Sequence, residues 1–417
     1  MQLFRSKWTP LFLSNFLGVF NDNFLKNCII FIAVGWVLPK WLTQSQLISI
    51  VSASLVVPYL FLSPLAGHLA VIYSKKKVFR ICKLLEIPVL AVACVAFYFQ
   101  WVIVAVSAVL VMGILSCLYS PSKYSLIRDI GGEEGVSYGS GVFEMMAFLG
   151  VLVGTVFASV VSDHYNNYLV FGILIGLAVL GYIVTSTIRA RELPEENEDS
   201  GNLNPIRFAV YAYRFASLHK HVNSGILGAA TFWLIGGMLQ MNLVIHTRNI
   251  YHLSNSTTGV VMAFAAIGIA LGCWMAGRIS GKKVMKGLIL IGILGMSLFL
   301  AILTFFQLPF IIYVACVIGA AFMGGIFQIP CLSIIQNANL GRKLGDIIGY
   351  LNMLTFTLIS LGAVLFSATT YLTAESSYEV FGVILAICIS LSIFFFKSSP
   401  EFWAETKTML SIQKEKP

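Results

Sequence analysis

Twelve stretches of this chain are long and apolar enough to cross a bilayer, and most of the polar segments between them are short. A helix needs about 20 apolar residues to span the hydrocarbon core, where every backbone N–H and C=O must be bonded inside its own segment. The pattern predicts an all-α membrane protein of twelve transmembrane helices and excludes a soluble domain. Only 11% of the residues are charged, against about 25% in soluble proteins. The net charge of +9 does not point to nucleic acid, because the basic residues gather at the ends of apolar runs.

Their distribution gives an expected topology. All but three of the 27 Lys and Arg residues fall on one side of the alternating chain. Lys75, Lys76, Lys77, Arg80 and Lys83 read as one loop, Lys123 and Arg128 as another, and Arg342 and Lys343 as a third. The exceptions are Lys40, Arg248 and Lys26, the last inside the first run. Excess Lys and Arg mark cytoplasmic loops, so both termini are expected in the cytoplasm. The eight cysteines form no CxxC pair and read as small core residues. The six histidines form no metal-like cluster, and no cofactor motif stands out.

The first run carries the most demanding residues. Asn21-Asp22-Asn23 and Lys26-Asn27 lie near its midpoint, where an ionised side chain costs at least ~2.5–3.5 kcal/mol. Residues three and four apart share a helix face. Asn15, Gly18, Asp22 and Lys26 therefore form one stripe, on which Asp22 and Lys26 can pair. Two readings stay open: a polar substrate path lined by this helix, or a buried ion pair that fixes packing. Glu86 and Glu144 are acids in the third and fifth runs that need partners. Ser120-Pro121-Ser122-Lys123-Tyr124 is expected to close the fourth run, with Arg128-Asp129 beyond it. Lys123, Arg128 and Asp129 suit either an anionic headgroup or a charge lock at one end. The second half offers neutral groups: Gln240 on a face with Trp233, Gly236 and Gly237, then Gln328, Asn352 and Thr355. These either bond a substrate or join helices at ~1 kcal/mol each. Gly150 and Gly154 read as a close-packing pair.

The longest polar interruption splits the runs six and six. The expected boundaries are 1–188 for an N-terminal bundle, 189–221 for a linker, 222–400 for a C-terminal bundle and 401–417 for a tail. The Glu192–Asn202 stretch reads as disordered or loosely tethered, and Pro205–His221 as a basic, aromatic helix on the membrane surface. A weak repeat supports the split: 210 residues separate Gly67 from Gly277, and 209 separate Pro121 from Pro330. Two six-helix bundles of this kind describe the major facilitator fold, whose substrate site lies near the midplane. One half is charged and the other mainly apolar, which suits an amphipathic substrate.

The string Phe16-Leu17-Gly18-Val19-Phe20-Asn21-Asp22-Asn23-Phe24-Leu25-Lys26-Asn27 resembles the opening of the bacterial lysophospholipid transporter family within the major facilitator superfamily. So do Ser120–Tyr124, Phe232–Gly236, Leu239–Leu243 and Ala276–Val284. The resemblance implies a stand-alone flippase, not an enzyme, of the bacterial inner membrane. It would move lysophospholipids from the outer to the inner leaflet by alternating access, as a monomer among membrane lipids. A separate cytosolic acyltransferase would then act on them. On the residues themselves, the candidate substrate-binding set is Asn21, Asp22, Asn23, Lys26, Asn27, Glu144, Gln240, Gln328 and Asn352. Lys123, Arg128, Asp129 and Gly67 would gate. The chain departs from its relatives in three ways. No His is followed five residues on by Asp, so the fused acyltransferase of some relatives is not expected. Val71-Ile72 stands where the superfamily usually has Asp-Arg, and Gln240 where some lysophospholipid transporters have Arg. The competing reading is a proton-coupled transporter of a soluble small molecule, a drug or siderophore, with Asp22 or Glu144 taking the proton. A membrane enzyme finds no nucleophile–base, metal or phosphate-loop pattern in the sequence.

Overall fold

A computed structural model describes residues 7–163, 165–194, 202–374 and 376–412. Arg5, His164, the Glu195–Gly201 stretch, Lys414 and Lys416 lie outside the described residues. Fourteen α-helices and no strands occur among those described. The first six are α1 (Thr9–Ile32), α2 (Gln44–Ile72), α3 (Lys75–Phe99), α4 (Val102–Gly131), α5 (Val136–Asp163) and α6 (Asn167–Ser186). A short α7 (Pro205–Ser217) follows. The second set is α8 (Val222–Asn249), α9 (Asn255–Ser280), α10 (Gly287–Phe305), α11 (Phe310–Asn337), α12 (Leu344–Leu372) and α13 (Ser377–Ser398), with α14 (Pro400–Ile412) after it. Eleven helices are long and apolar enough to cross a membrane. The first, α1, has the length, but its asparagines and charges pull its hydropathy below that of the others.

Capping residues set the starts. Thr43 opens α2 with a reciprocal cap: its hydroxyl accepts from Gln46 N–H, and the Gln46 side chain accepts from Thr43 N–H. Ser74 caps α3, accepting from Lys77 N–H. That cap starts α3 at Lys75, so Arg80 and Lys83 are helical residues rather than loop residues. Similarly α4 continues through Pro121 to Gly131, and Ser120–Tyr124, Arg128 and Asp129 all lie on it. Each interior proline removes one backbone donor. Membrane helices tolerate this because neighbouring groups satisfy the freed carbonyl.

The chain forms two compact units that do not follow the sequence halves. Unit 1 comprises Met1–Gly132, Met146–Phe215 and Leu340–Met353; unit 2 comprises Glu133–Met145, Ala216–Asn339 and Leu354–Pro417. The apolar core of unit 1 includes Phe20, Phe24, Ile29, Leu90, Phe97 and Val109. Gly150 and Gly154 let α5 lie on the backbone of α1 at Phe16 and Phe20. In unit 2, Phe327 and Phe395 meet edge to face at 6.0 Å between centroids. Within the expected tail, α14 is a packed element that buries Phe402 and Thr406. There Glu405 accepts from Gly287 N–H at 3.3 Å, capping α10.

The weak repeat has a structural meaning. A Cβ on Gly67 of α2 would stand 3.1 Å from Asp346 Cα, and one on Gly349 would stand 3.2 Å from Gly67 Cα. Within unit 2, a Cβ on Gly277 of α9 would stand 2.8 Å from Ser137 O and 3.0 Å from Gly141 Cα. Each glycine of the repeat thus serves as the close crossing point of its helix with the first turns of a long helix from the other half of the sequence.

Candidate functional site

The α1 stripe is built as its spacing requires, but with different partners. Among the described residues Asp22 forms no ion pair with Lys26. Its Oδ2 accepts from the Ser116 hydroxyl of α4 at 2.9 Å, while the enclosed Oδ1 accepts no hydrogen bond from any of them. Lys26 turns back along its own helix and donates to Asn23 Oδ1 at 3.1 Å. The Lys26–Asn23 contact satisfies one of three ammonium donors, and it is a neutral partner.

A second interior cation comes from α3, at a position that reads as a loop in the sequence. Lys83 is 1% exposed, and its ammonium holds both oxygens of Glu86, at 2.7 and 2.9 Å. The same ammonium lies 4.9 Å from the centroid of the Tyr119 ring. Gly18 makes room for it: a Cβ there would stand 2.7 Å from Lys83 Nζ. Tyr119 OH is 3.3 Å from Ser116 Oγ, so α1, α3 and α4 share one polar cluster. Lys123 joins it from α4, donating to Asn15 Oδ1 at 3.0 Å with its ammonium 5.5 Å from the Tyr119 ring centroid. Glu86 therefore has its partner three residues earlier on its own helix. The missed signal was the Ser74 cap, which carries the helical register back far enough to put Lys83 and Glu86 one turn apart.

Other expected site residues sit elsewhere. Asn21 donates to Leu174 O of α6 at 3.3 Å, and Asn27 to Thr155 Oγ1 of α5 at 3.0 Å. Asn23 donates to Val19 O at 2.8 Å. These three amides face the neighbours of α1 or its own backbone. Asn352 falls in unit 1 and donates to Ser120 Oγ of α4 at 2.9 Å. In unit 2, Glu144 and Gln328 are buried, and Gln328 Oε1 accepts no hydrogen bond from the described residues. Gln240 is exposed, and nothing lies within 4 Å of a Cβ placed on Gly236 or Gly237. That face of α8 is open.

Among the expected gating residues, Gly67 is the tight crossing described above. Asp129 pairs with Lys75 at 2.7 Å, both largely buried. Arg128 is half-buried near the end of α4. Lys123 lies with the α1 cluster rather than with Asp129. Arg342, read as a loop charge, is buried.

The Major Facilitator Superfamily model matches residues 11–363. The chain belongs to that superfamily. It is a membrane transporter with the all-helical fold of this superfamily. The chain is 25% identical over 332 residues to the lysophospholipid transporter LplT of Yersinia enterocolitica, covering 78% of this chain and 77% of that protein. LplT of Shigella flexneri serotype 5b is 25% identical over 345 residues, covering 79% and 80%. Among solved structures, the human organic anion transporter MFSD10 superposes with a TM-score of 0.73 at 14% identity, covering 93% of this chain and all of that one. The Escherichia coli fucose:proton symporter FucP superposes at 0.73 and 11% identity, covering 94% and 99%. These structures share the fold.

Proposed function

We propose that this superfamily member carries lysophospholipids from the outer to the inner leaflet of a bacterial inner membrane by alternating access, with both termini in the cytoplasm. The observation that carries the reading is the enclosed Asp22 oxygen without a donor, set among Lys26, Lys83 and Lys123. A buried acceptor left unmet costs about 1–3 kcal/mol. A substrate ammonium group reaching Asp22 Oδ1 would remove that cost. Lys26, whose one hydrogen bond among the described residues is to a neutral amide, has donors left for a phosphate. A zwitterionic headgroup supplies both charges, and the relatives named lysophospholipid transporters support this class. The open face at Gln240, where some family members carry Arg, is where headgroup preference would differ. The product would be a substrate for a separate cytosolic acyltransferase.

The test uses the full chain in proteoliposomes with labelled lysophosphatidylethanolamine in the outer leaflet. Transfer to the inner leaflet without proton uptake is the expected result. Proton uptake driven by a soluble compound, with the lysolipid left in place, would replace this reading with a proton-coupled transporter.

A further inference from the structure

The first residues of the linker, expected to be loosely tethered from Glu192 on, are instead held from three sides as far as Pro194, all within unit 1. Glu192 sits on the first turn of α3. Its Oε2 accepts from Lys75 N–H at 2.6 Å, and its Oε1 accepts from Lys76 N–H at 3.3 Å and the Ser74 hydroxyl at 3.1 Å. A carboxylate at a helix N-terminus meets unpaired N–H groups and the positive end of the helix dipole. At the end of α4, Arg191 N–H donates to Asp129 O at 3.3 Å. Arg342 closes the third side. Its Nε donates to Val71 O at 2.5 Å and its Nη2 to Tyr73 O at 3.1 Å. Its Nη1 donates to Leu193 O at 2.9 Å and Pro194 O at 2.8 Å.

Arg342 is 4% exposed, and among the described residues no carboxylate bonds its guanidinium. Four carbonyls from two separate segments occupy it. Only an arginine, with five donors in a rigid planar fork, can bridge the end of α2 and the linker in this way. The last residues of α2 supply backbone oxygens alone, because Val71 and Ile72 carry no charge.

We infer that residues 191–194, Arg342 and Glu192 form a clasp, in which the linker ties the start of α12 to the ends of α2, α3 and α4, and that transport requires it to open and reclose. Arg342 and Glu192 are positioning residues that touch no substrate. The chain's departure at Val71-Ile72 then has a replacement: the tie is made by carbonyls and the linker rather than by an acid on α2. The inference rests on superfamily membership and on the proposed orientation, not on the identity of the lipid.

The test places Val71→Cys, a buried reporter at the end of α2, in the full chain in proteoliposomes. The eight native cysteines are all buried and give a low background. A membrane-impermeant maleimide reaching the basic-loop side is expected to label Cys at 71 slowly. Adding R342Q should speed labelling about tenfold, since a hydrogen-bonded charge is lost. R342K should behave like R342Q, because one ammonium cannot span both segments. E192A should speed labelling about threefold, and the double variant should be no faster than R342Q alone, as for residues that act through one network. The native cysteines should stay unlabelled throughout. Three results would overturn the clasp: unchanged labelling in R342Q and E192A, independent multiplication of the two effects, or native cysteines reacting alongside the reporter, which signals general loosening. Should R342Q fail to fold, E192A decides alone.

Discussion

The two units handle buried polarity in opposite ways. Among the described residues, the buried Lys, Arg, Asp and Glu side chains are Lys75, Lys83, Glu86, Glu144, Arg342 and Asp346, and only Glu144 belongs to unit 2. Unit 2 relies on neutral groups. Its buried His246 lies with Nδ1 2.8 Å from the Ser377 hydroxyl, stacked on Tyr313 at 4.7 Å between centroids. Asn242 donates to Ser377 O at 2.9 Å. Removing one member of a buried charged pair leaves a stranded charge at about 3–5 kcal/mol, whereas a neutral bond is worth about 0.5–1.5 kcal/mol. Unit 1 is therefore the part whose interior depends on charge pairing, and unit 2 the part held by neutral bonds.

The sharpest way to break this contrast is at Asp22. Asp22→Asn and Lys26→Met should each abolish lysolipid transfer while the protein stays monodisperse in detergent. Normal transfer by either variant would remove α1 from the centre of the account. Next comes stability. Glu86→Gln strands Lys83 and should cost about 3–5 kcal/mol in unfolding. Glu86→Gln with Lys83→Met should cost less than Glu86→Gln alone, which denaturation in detergent would read. Gly18→Ala pushes a methyl at the Lys83 ammonium. It should slow transfer about tenfold, the equivalent of 1–3 kcal/mol of overpacking. In unit 2, Gln240→Ala should change transfer about threefold, the size of a neutral hydrogen bond. A loss as large as at Asp22 would mean the neutral unit carries recognition too. The smallest effect is expected at Lys407, whose ammonium lies 5.3 Å from the Trp403 ring centroid. Lys407→Gln should leave transfer within about twofold, because an exposed cation–π contact is worth ~0.5–1 kcal/mol.

Helix number, the weak internal repeat and the polar stripe of α1 were legible because each is a matter of period and composition. Partners were harder. Asp22 and Lys26 sit four apart, the spacing that favours pairing, yet each found a different neighbour: Ser116 across the α1–α4 contact and Asn23 on the same helix. Spacing reports which groups share a face, not what the next helix presents to it. Lys83 and Arg342 were misplaced for a related reason. Basic residues near a helix end look like loop charges, and only the Ser74 cap and the carbonyls of Val71, Tyr73, Leu193 and Pro194 show that both are interior. The role of α14 was also hidden, since Glu405 caps a helix more than a hundred residues away in sequence.

The lodging of the Lys83 tip against Gly18 links two positions 65 residues apart in the chain. A side chain gained at the first requires the tip of the second to move or shorten, and a shorter residue at the second gives freedom at the first. Across an alignment the pair should therefore change together, with Glu86 losing its acidity in the lineages where the long basic residue has gone.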